Sequence, residues 1–445
     1  MQQSARSHAI YQSLAQEMQA SLSLSAQQQA ALEQLHDFVN GSESFFVLEG
    51  YAGTGKTTLL QAFVAQLQGQ GDHRPIVFSA FTNKATKVLA QMMAEWGLGI
   101  DCLTCCQLLG LRPQINQETG EQEFIPDKDQ KSSFEKYALV VVDECSMVNQ
   151  NLWELLITEV ACFHTSVQLL FVGDSAQLPP INEVCSQTFV AIANKALLTD
   201  VIRYGGAIGV LAESIRCGLD SQRLPPLVTD LNAEQTEGTV VLRTSDWERQ
   251  LVRAFRCDLS QSDPDYVRAL AYTNKRVNAL NRQIRDAIFG CEVPRFVPDE
   301  RLIAMHPIFG NEEEILMQTS SECIVEEAWE DESKGWRIWC LYVENDANLV
   351  FTLRVLHESE QGRLKRELNK LAEAKQWQDF WALKQRFASV NYSYALTIHK
   401  SQGSTFQNVF LDLPDIMRNR NARERNQLLY VAVTRAAKRL FIRHA

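Results

Sequence analysis

Between Gly50 and Thr57 the chain reads GYAGTGKT, a fit to G-x-x-x-x-G-K-[ST], and its flanks fix what it can be part of. The apolar run FFVLE leads into it, and the helically spaced TTLLQAFVAQLQ leads out. A strand entering a glycine loop that opens a helix offers backbone N–H groups and the positive helix end to an anion. Gly50, Gly53, Thr54, Gly55 and Thr58 frame such a cradle; in it Lys56 neutralises β/γ-phosphate charge and the Thr57 hydroxyl ligates Mg2+. A unit of this kind sits in an α/β sheet. Three more short apolar runs suit strands buried on both faces: PIVFS (75–79), ALVVV (138–142) and VQLLFV (167–172). The helical KATKVLAQMMAEW (84–96) lies among them.

Two strand ends carry further chemistry. VVVDECSM (140–147) puts Asp143 and Glu144 side by side at the end of a buried run, which is costly without a cation or a task. Asp143 would hold magnesium through its water shell, and Glu144 would polarise the attacking water. FVGDSAQLPPI (171–181) ends in a glycine, an acid and Gln177, whose amide can hydrogen-bond a γ-phosphate or a water without changing charge.

A second α/β set starts at RALAYT (268–273) and a helical KRVNALNRQIRDAIF (275–289). It resumes at SYALT (393–397), NVFLDL (408–413), a helix near 424–436 and KRLFIR (438–443). From about 296 to 356 the pattern turns to short β-like runs, suited to a small inserted β-barrel. The charged stretch from Glu358 to Phe387 has no Gly or Pro after Gly362 and predicts one long helix or a helical hairpin. The segment from Arg112 to Tyr137 interrupts the first set; its ETG turn between polar extended runs predicts a β-hairpin, against the alternative of a surface loop.

Charge bears on the partner. The net value of −11 argues against a polyanion, but nine acidic residues and no basic one lie between Asn311 and Glu332, leaving −2 on the rest. From Arg418 to Arg443 there are eight basic residues and one acid, Glu424, so a local nucleic-acid surface stays open. Eleven cysteines without regular pairing indicate reduced thiols of a cytosolic protein; Cys102 and Cys105 form a lone C-x-x-C, read as small residues packing beside a sheet. No apolar run reaches membrane-span length, and the first twenty residues are polar, so a cytoplasmic, non-membrane protein is expected.

The order of phosphate loop, DE and GDxxQ resembles superfamily 1 helicases. SAFTNKAT (79–86), LTCCQLLGL (103–111), LTDVIRYGGAIGVLAESIR (198–216), YALTIHKSQGSTF (394–406) and LLYVAVTRA (428–436) are similar to motifs Ia, Ib, IV, V and VI. The likeness runs from about residue 24 to 443, and in size and layout it is closest to the compact RecD-like, Dda-type members of the 1B group. It implies an α/β fold of two RecA-like P-loop NTPase domains with an inserted SH3-like β-barrel and helical tower. The implied spans are 1–199 for the first domain, with a strand-splitting pin hairpin at about 112–137, 200–295 plus 390–445 for the second, and 296–389 for the insertion.

The resemblance also assigns residues. Gln28 matches the glutamine that reads adenine, although Ser25 and Gln28 equally fit a helix capping box. Arg203 and Arg435 match arginines that reach the γ-phosphate across the cleft, and Gly403 matches the turn of motif V. Thr82, Asn83, Lys84, Thr104, His399, Lys400, Ser401 and Thr405 match strand-contacting positions, where hydroxyls, amides and a lysine suit phosphates and His399 either stacks on a base or is structural. The implied activity is a 5′ to 3′ ATP-dependent DNA helicase using ATP and Mg2+ on single-stranded and tailed duplex DNA, as a monomer. Its competitors are an Upf-like RNA or RNA–DNA remodeller and an ATP-gated clamp; no zinc-rich Cys/His N-terminal domain and no nuclease motif are evident.

Overall fold

The computed structural model describes residues 24–115, 122–127, 130–163, 166–180, 182–201, 206–310, 315–345 and 348–444. Arg203 and the tip of the predicted hairpin, 116–121, lie outside these residues.

The apolar runs of the first half form one six-stranded parallel sheet, ordered Asp101–Thr104, Ile76–Ala80, Leu139–Val142, Gln168–Gly173, Phe45–Gly50, Lys195–Leu198. The central strand Leu139–Val142 is buried throughout, because helices cover both faces of the sheet. Helices Ala26–Asn40, Lys56–Gly69 and Asn83–Glu95 pack over one face through Leu35, Phe38, Phe63 and Leu89. The strands therefore end together on one edge, where an α/β sheet binds its ligands.

The second sheet orders Ala395–Thr397, Val267–Ala271, Phe406–Asp412, Ala436–His444, Gly238–Arg243 and Asp230–Leu231, parallel except for the last pair. Both sheets are thus mostly parallel and alternate with helices in an α/β form. The strand Gly238–Arg243 was not among the expected runs, nor were Asp101–Thr104 and Lys195–Leu198. Helix Gly206–Cys217 packs on helix Ala422–Thr434 and brings Ala176 and Leu178 of the first half into the second core.

Residues Arg301–Tyr392 add a five-stranded antiparallel sheet, ordered Val350–Leu356, Trp336–Asn345, Glu322–Ser333, Arg301–Ala304, Val390–Tyr392. Buried guanidinium groups fasten it to the second sheet: Arg268 pairs with Glu322, Arg285 with Glu300, and Arg301 donates to the Ser260 and Gln261 carbonyls. Removing one partner of such a pair typically costs about 3–5 kcal/mol, since the other charge stays buried.

The charged stretch is two helices, Gln361–Glu373 and Trp377–Gln385, reversed at Lys375 with φ 56°. Doubling back lets Leu364, Leu368 and Leu371 share one cluster with Leu383, Phe387 and Trp336, which a single straight helix of this composition would leave in water. Near the first sheet, Leu111–Ile115 and Gln122–Pro126 pair antiparallel as a hairpin. Its base is tight: a Cβ on Gly110, at φ +61°, would meet the Lys131 carbonyl carbon at 2.6 Å.

Candidate nucleotide site between the two sheets

The glycine loop emerges from strand Phe45–Gly50 and passes into helix Lys56–Gly69 through Gly53 and Gly55, both left-handed at φ 80° and 77°. A side chain there would be strained, and one on Gly50 would meet Thr54 Oγ1 at 2.8 Å. Lys56 Nζ donates to the Gly50 carbonyl at 2.6 Å and the Tyr51 carbonyl at 3.1 Å, which holds the ammonium over the loop. Thr54 is buried, with its hydroxyl donating to the Tyr51 carbonyl. Gln28 is buried beside it: Oε1 accepts the Ser25 N–H, and Nε2 donates to the Thr54 carbonyl at 3.1 Å. The capping box is formed, and the same side chain braces the loop from behind.

Across the cleft mouth stand the carboxylates. Asp143 follows the central strand, and Glu144 turns into the left-handed region at φ 52° while its N–H donates to Asp143 Oδ1 at 2.9 Å. Burial, with the Glu144 carboxylate adding to it, pushes the Asp143 carboxyl well above its ordinary value, against the opposing pull of Lys56. A cation held by Asp143 and Thr57 would relieve that conflict, so these residues fit the magnesium that nucleotide chemistry requires. Among the described residues no three His, Cys, Asp or Glu side chains form a metal cage. Gln177 is buried, and its Oε1 has no hydrogen-bond partner among the described residues.

The second sheet supplies the opposite wall of this cleft of about 360 Å³. Gly403 (φ 73°), Thr405, Thr434 and Arg435 line it together with Lys56, Thr57, Thr58, Asp143, Glu144 and Gln177. Arg435 is buried, with Nε donating to Val431 O, Nη1 to Ser404 O at 3.0 Å and Nη2 to Thr434 Oγ1. An arginine carried by the second sheet's helix thus lines the same cleft as the glycine loop.

The eight strand-contact candidates are scattered in environment. Thr82 caps helix Asn83–Glu95, where Asn83 is exposed. Lys84 is paired with Asp265 of the second half at 2.7 Å. Thr104 and Ser401 are fully buried, and their hydroxyls are engaged with Gln107 and the Ile398 carbonyl. Thr405 lines the nucleotide cleft. His399 and Lys400 are half-buried, and burial lowers the proton affinity of both; the His399 ring lies 6.3 Å from that of Tyr272.

Sequence reasoning gave no role to several groups beside the cleft. Asp174 is buried and bonded to the loop, Tyr430 reaches it from the second sheet, and Arg216 stacks on Tyr51 at 3.7 Å. A hydroxyl inside the buried apolar run LLYVAV was the available signal, since a buried phenol needs a partner.

A family profile described as an AAA domain matches residues 23–225, and one described as a UvrD-like helicase C-terminal domain matches 392–442. The chain is 24% identical over 489 residues to an uncharacterised protein of Acanthamoeba polyphaga mimivirus, covering 93% of this chain and 98% of that one. It is 26% identical over 432 residues to the ATP-dependent DNA helicase dda of Enterobacteria phage T4, covering 88% and 93% respectively. Among solved structures it resembles a Pif1 helicase from work on unwinding at forked double-stranded DNA, with a TM-score of 0.51, 16% identity and coverage of 94% and 92%; that likeness concerns the fold.

Proposed function

Since the chain belongs to the superfamily 1B helicases of the RecD and Dda type, we propose that it is an ATP-dependent DNA helicase that translocates 5′ to 3′ on single-stranded DNA and unwinds duplex. The observation that carries the reading is the single cleft lined by Lys56, Asp143, Glu144 and Gln177 from one sheet and by Arg435 from the other. In that cleft Lys56 neutralises the β/γ-phosphates and Glu144 orients the attacking water. Gln177 bonds the γ-phosphate or that water through its amide, and Arg435, with Arg203, offsets charge developing in the transition state. Thr57 and Asp143 would hold magnesium, which supplies charge neutralisation between the phosphates. Gln28 and Gly403 would border the nucleotide.

The same reading divides the chain into a first RecA-like domain over 1–199, a second over 200–295 plus 390–445, and an SH3-like insertion with a helical tower over 296–389. Separate apolar clusters in the antiparallel sheet and helix pair support an insertion here, and strand Val390–Tyr392, just past its proposed end, pairs with the inserted sheet. Thr82, Asn83, Lys84, Thr104, His399, Lys400, Ser401 and Thr405 remain the proposed strand contacts. Of these, all but the buried Thr104 and Ser401 keep surface that a phosphate or base could reach. Lys84 would exchange Asp265 for a phosphate, an exchange of one anion for another.

ATP turnover measured with single-stranded DNA and single-stranded RNA of equal sequence tests the substrate class. Strong stimulation by DNA is expected, and stimulation by RNA alone would replace this function by the Upf-like one. The hairpin is proposed as the pin. A motor needs an obstacle to part strands but not to walk along one, so replacing residues 116–125 by a short Gly/Ser turn should leave DNA-stimulated ATPase within about twofold while unwinding of a tailed duplex falls about tenfold or more. Equal loss of both activities would make the segment a support of the first sheet, and no change in either would make it a passive loop.

A further inference from the structure

Two buried groups with no part in the proposed chemistry meet at the front of the phosphate loop. Asp174 has no exposed surface; its Oδ2 accepts the Ala52 N–H at 2.9 Å and the Tyr430 hydroxyl at 2.8 Å, while Oδ1 accepts the Ala176 N–H at 2.9 Å. The Ala52 N–H also lies 3.0 Å from Tyr430 Oη, so it is shared between the two side chains. Three segments thereby close a triangle: the glycine loop, the turn after strand Gln168–Gly173, and helix Ala422–Thr434 of the opposite sheet.

The helix makes this contact with one face. Gln427, one turn before Tyr430, donates to the Gln177 carbonyl at 3.0 Å. Arg435 follows Tyr430 by five residues, about 7.5 Å further along the axis at helical rise, and opens into the nucleotide cleft. Burial and the neighbouring carboxylate keep the Tyr430 phenol protonated, hence a donor. Packing alone would be satisfied by phenylalanine. The hydroxyl instead supplies a buried carboxylate with a charge-assisted bond from across the cleft, and such bonds are among the strong ones.

We propose that Tyr430 is a positioning residue for ATP hydrolysis: its hydroxyl, through Asp174 and the Ala52 amide, fixes the helix that carries Arg435 against the phosphate loop. This rests on reading the cleft as an ATPase site. An arginine acting on transition-state charge loses much of its effect when displaced by a fraction of an ångström to an ångström, whereas binding of the ground state is less sensitive.

The test is a double-mutant cycle on the full chain, read as single-stranded-DNA-stimulated ATPase. Tyr430→Phe should lower kcat about tenfold with KM for ATP within about twofold. Arg435→Ala should lower it further, and adding Tyr430→Phe to Arg435→Ala should cost less than about twofold more, because the first acts through the second. Asp174→Asn, which keeps the shape and removes the carboxylate, should show the same kcat loss and the same lack of additivity; it decides the matter if Tyr430→Phe lowers the thermal midpoint. Wild-type kcat in both Tyr430→Phe and Asp174→Asn, or multiplicative losses with Arg435→Ala, overturn the proposal. A wild-type protein with no DNA-stimulated ATPase would instead remove the reading it rests on.

Discussion

Lys56→Ala should lower DNA-stimulated ATP turnover by about three orders of magnitude, because it removes the ammonium held over the glycine loop, where the β/γ-phosphates gather charge in the transition state. The loss should appear in kcat as well as kcat/KM, since stabilisation of developing charge exceeds any uniform binding lost with it. The fold should survive. Lys56 is half-buried, and the loop is held independently by Gln28, Thr54 and the Ala52 contact to Asp174. Binding of a labelled oligonucleotide without nucleotide should therefore stay near the wild-type value by fluorescence anisotropy. Turnover close to wild type would remove the phosphate-loop assignment.

Arg435→Ala should reduce kcat by about 10²- to 10³-fold while the affinity for a non-hydrolysable ATP analogue changes only a few-fold, because a guanidinium across the cleft acts mainly on transition-state charge. Two of its three bonds, to Val431 O and Thr434 Oγ1, lie within its own helix end, and the third reaches Ser404 O in the loop before strand Phe406–Asp412, so the change should leave the second sheet intact. Calorimetric titration beside steady-state ATPase separates the two quantities. Arg203→Ala is expected to behave alike, and wild-type hydrolysis in both variants would contradict an ATP site shared between the sheets.

Much of this was readable because strands buried on both faces leave an unbroken apolar signature. FFVLE, ALVVV and VQLLFV lie in the centre of the first sheet, and the glycine loop sits where the strand-to-helix context requires. Edge strands carry no such mark. Asp101–Thr104 has a neighbour on one side only, and Lys195–Leu198 alternates exposed with buried, so both escape a search for apolar runs. A helical hairpin was one of the two expected forms of the charged stretch, but the position of its reversal at Lys375 escapes, because it answers to the Trp336 cluster some forty residues back and to no Gly or Pro nearby.

The nucleotide residues were legible for a different reason: phosphate chemistry restricts residue type at fixed spacing. Contacts made across long sequence separations were not. Tyr430 and Asp174 are far apart in the chain, each looks ordinary in its own motif, and only the folded cleft brings them together. Thr104 and Ser401 show the converse, since hydroxyls suited by type to phosphate contact are also suited to capping turns, and both are so engaged here.

The central claim is that ATP hydrolysis in this cleft drives the chain along one DNA strand in a set direction. Unwinding of two duplexes identical but for a 5′ or a 3′ single-stranded tail, with ATP and magnesium under single-turnover conditions, tests it most directly. Strand separation of the 5′-tailed duplex and little of the 3′-tailed one is the predicted result. Opening of the 3′-tailed duplex alone, or of neither while ATP is hydrolysed, would contradict it.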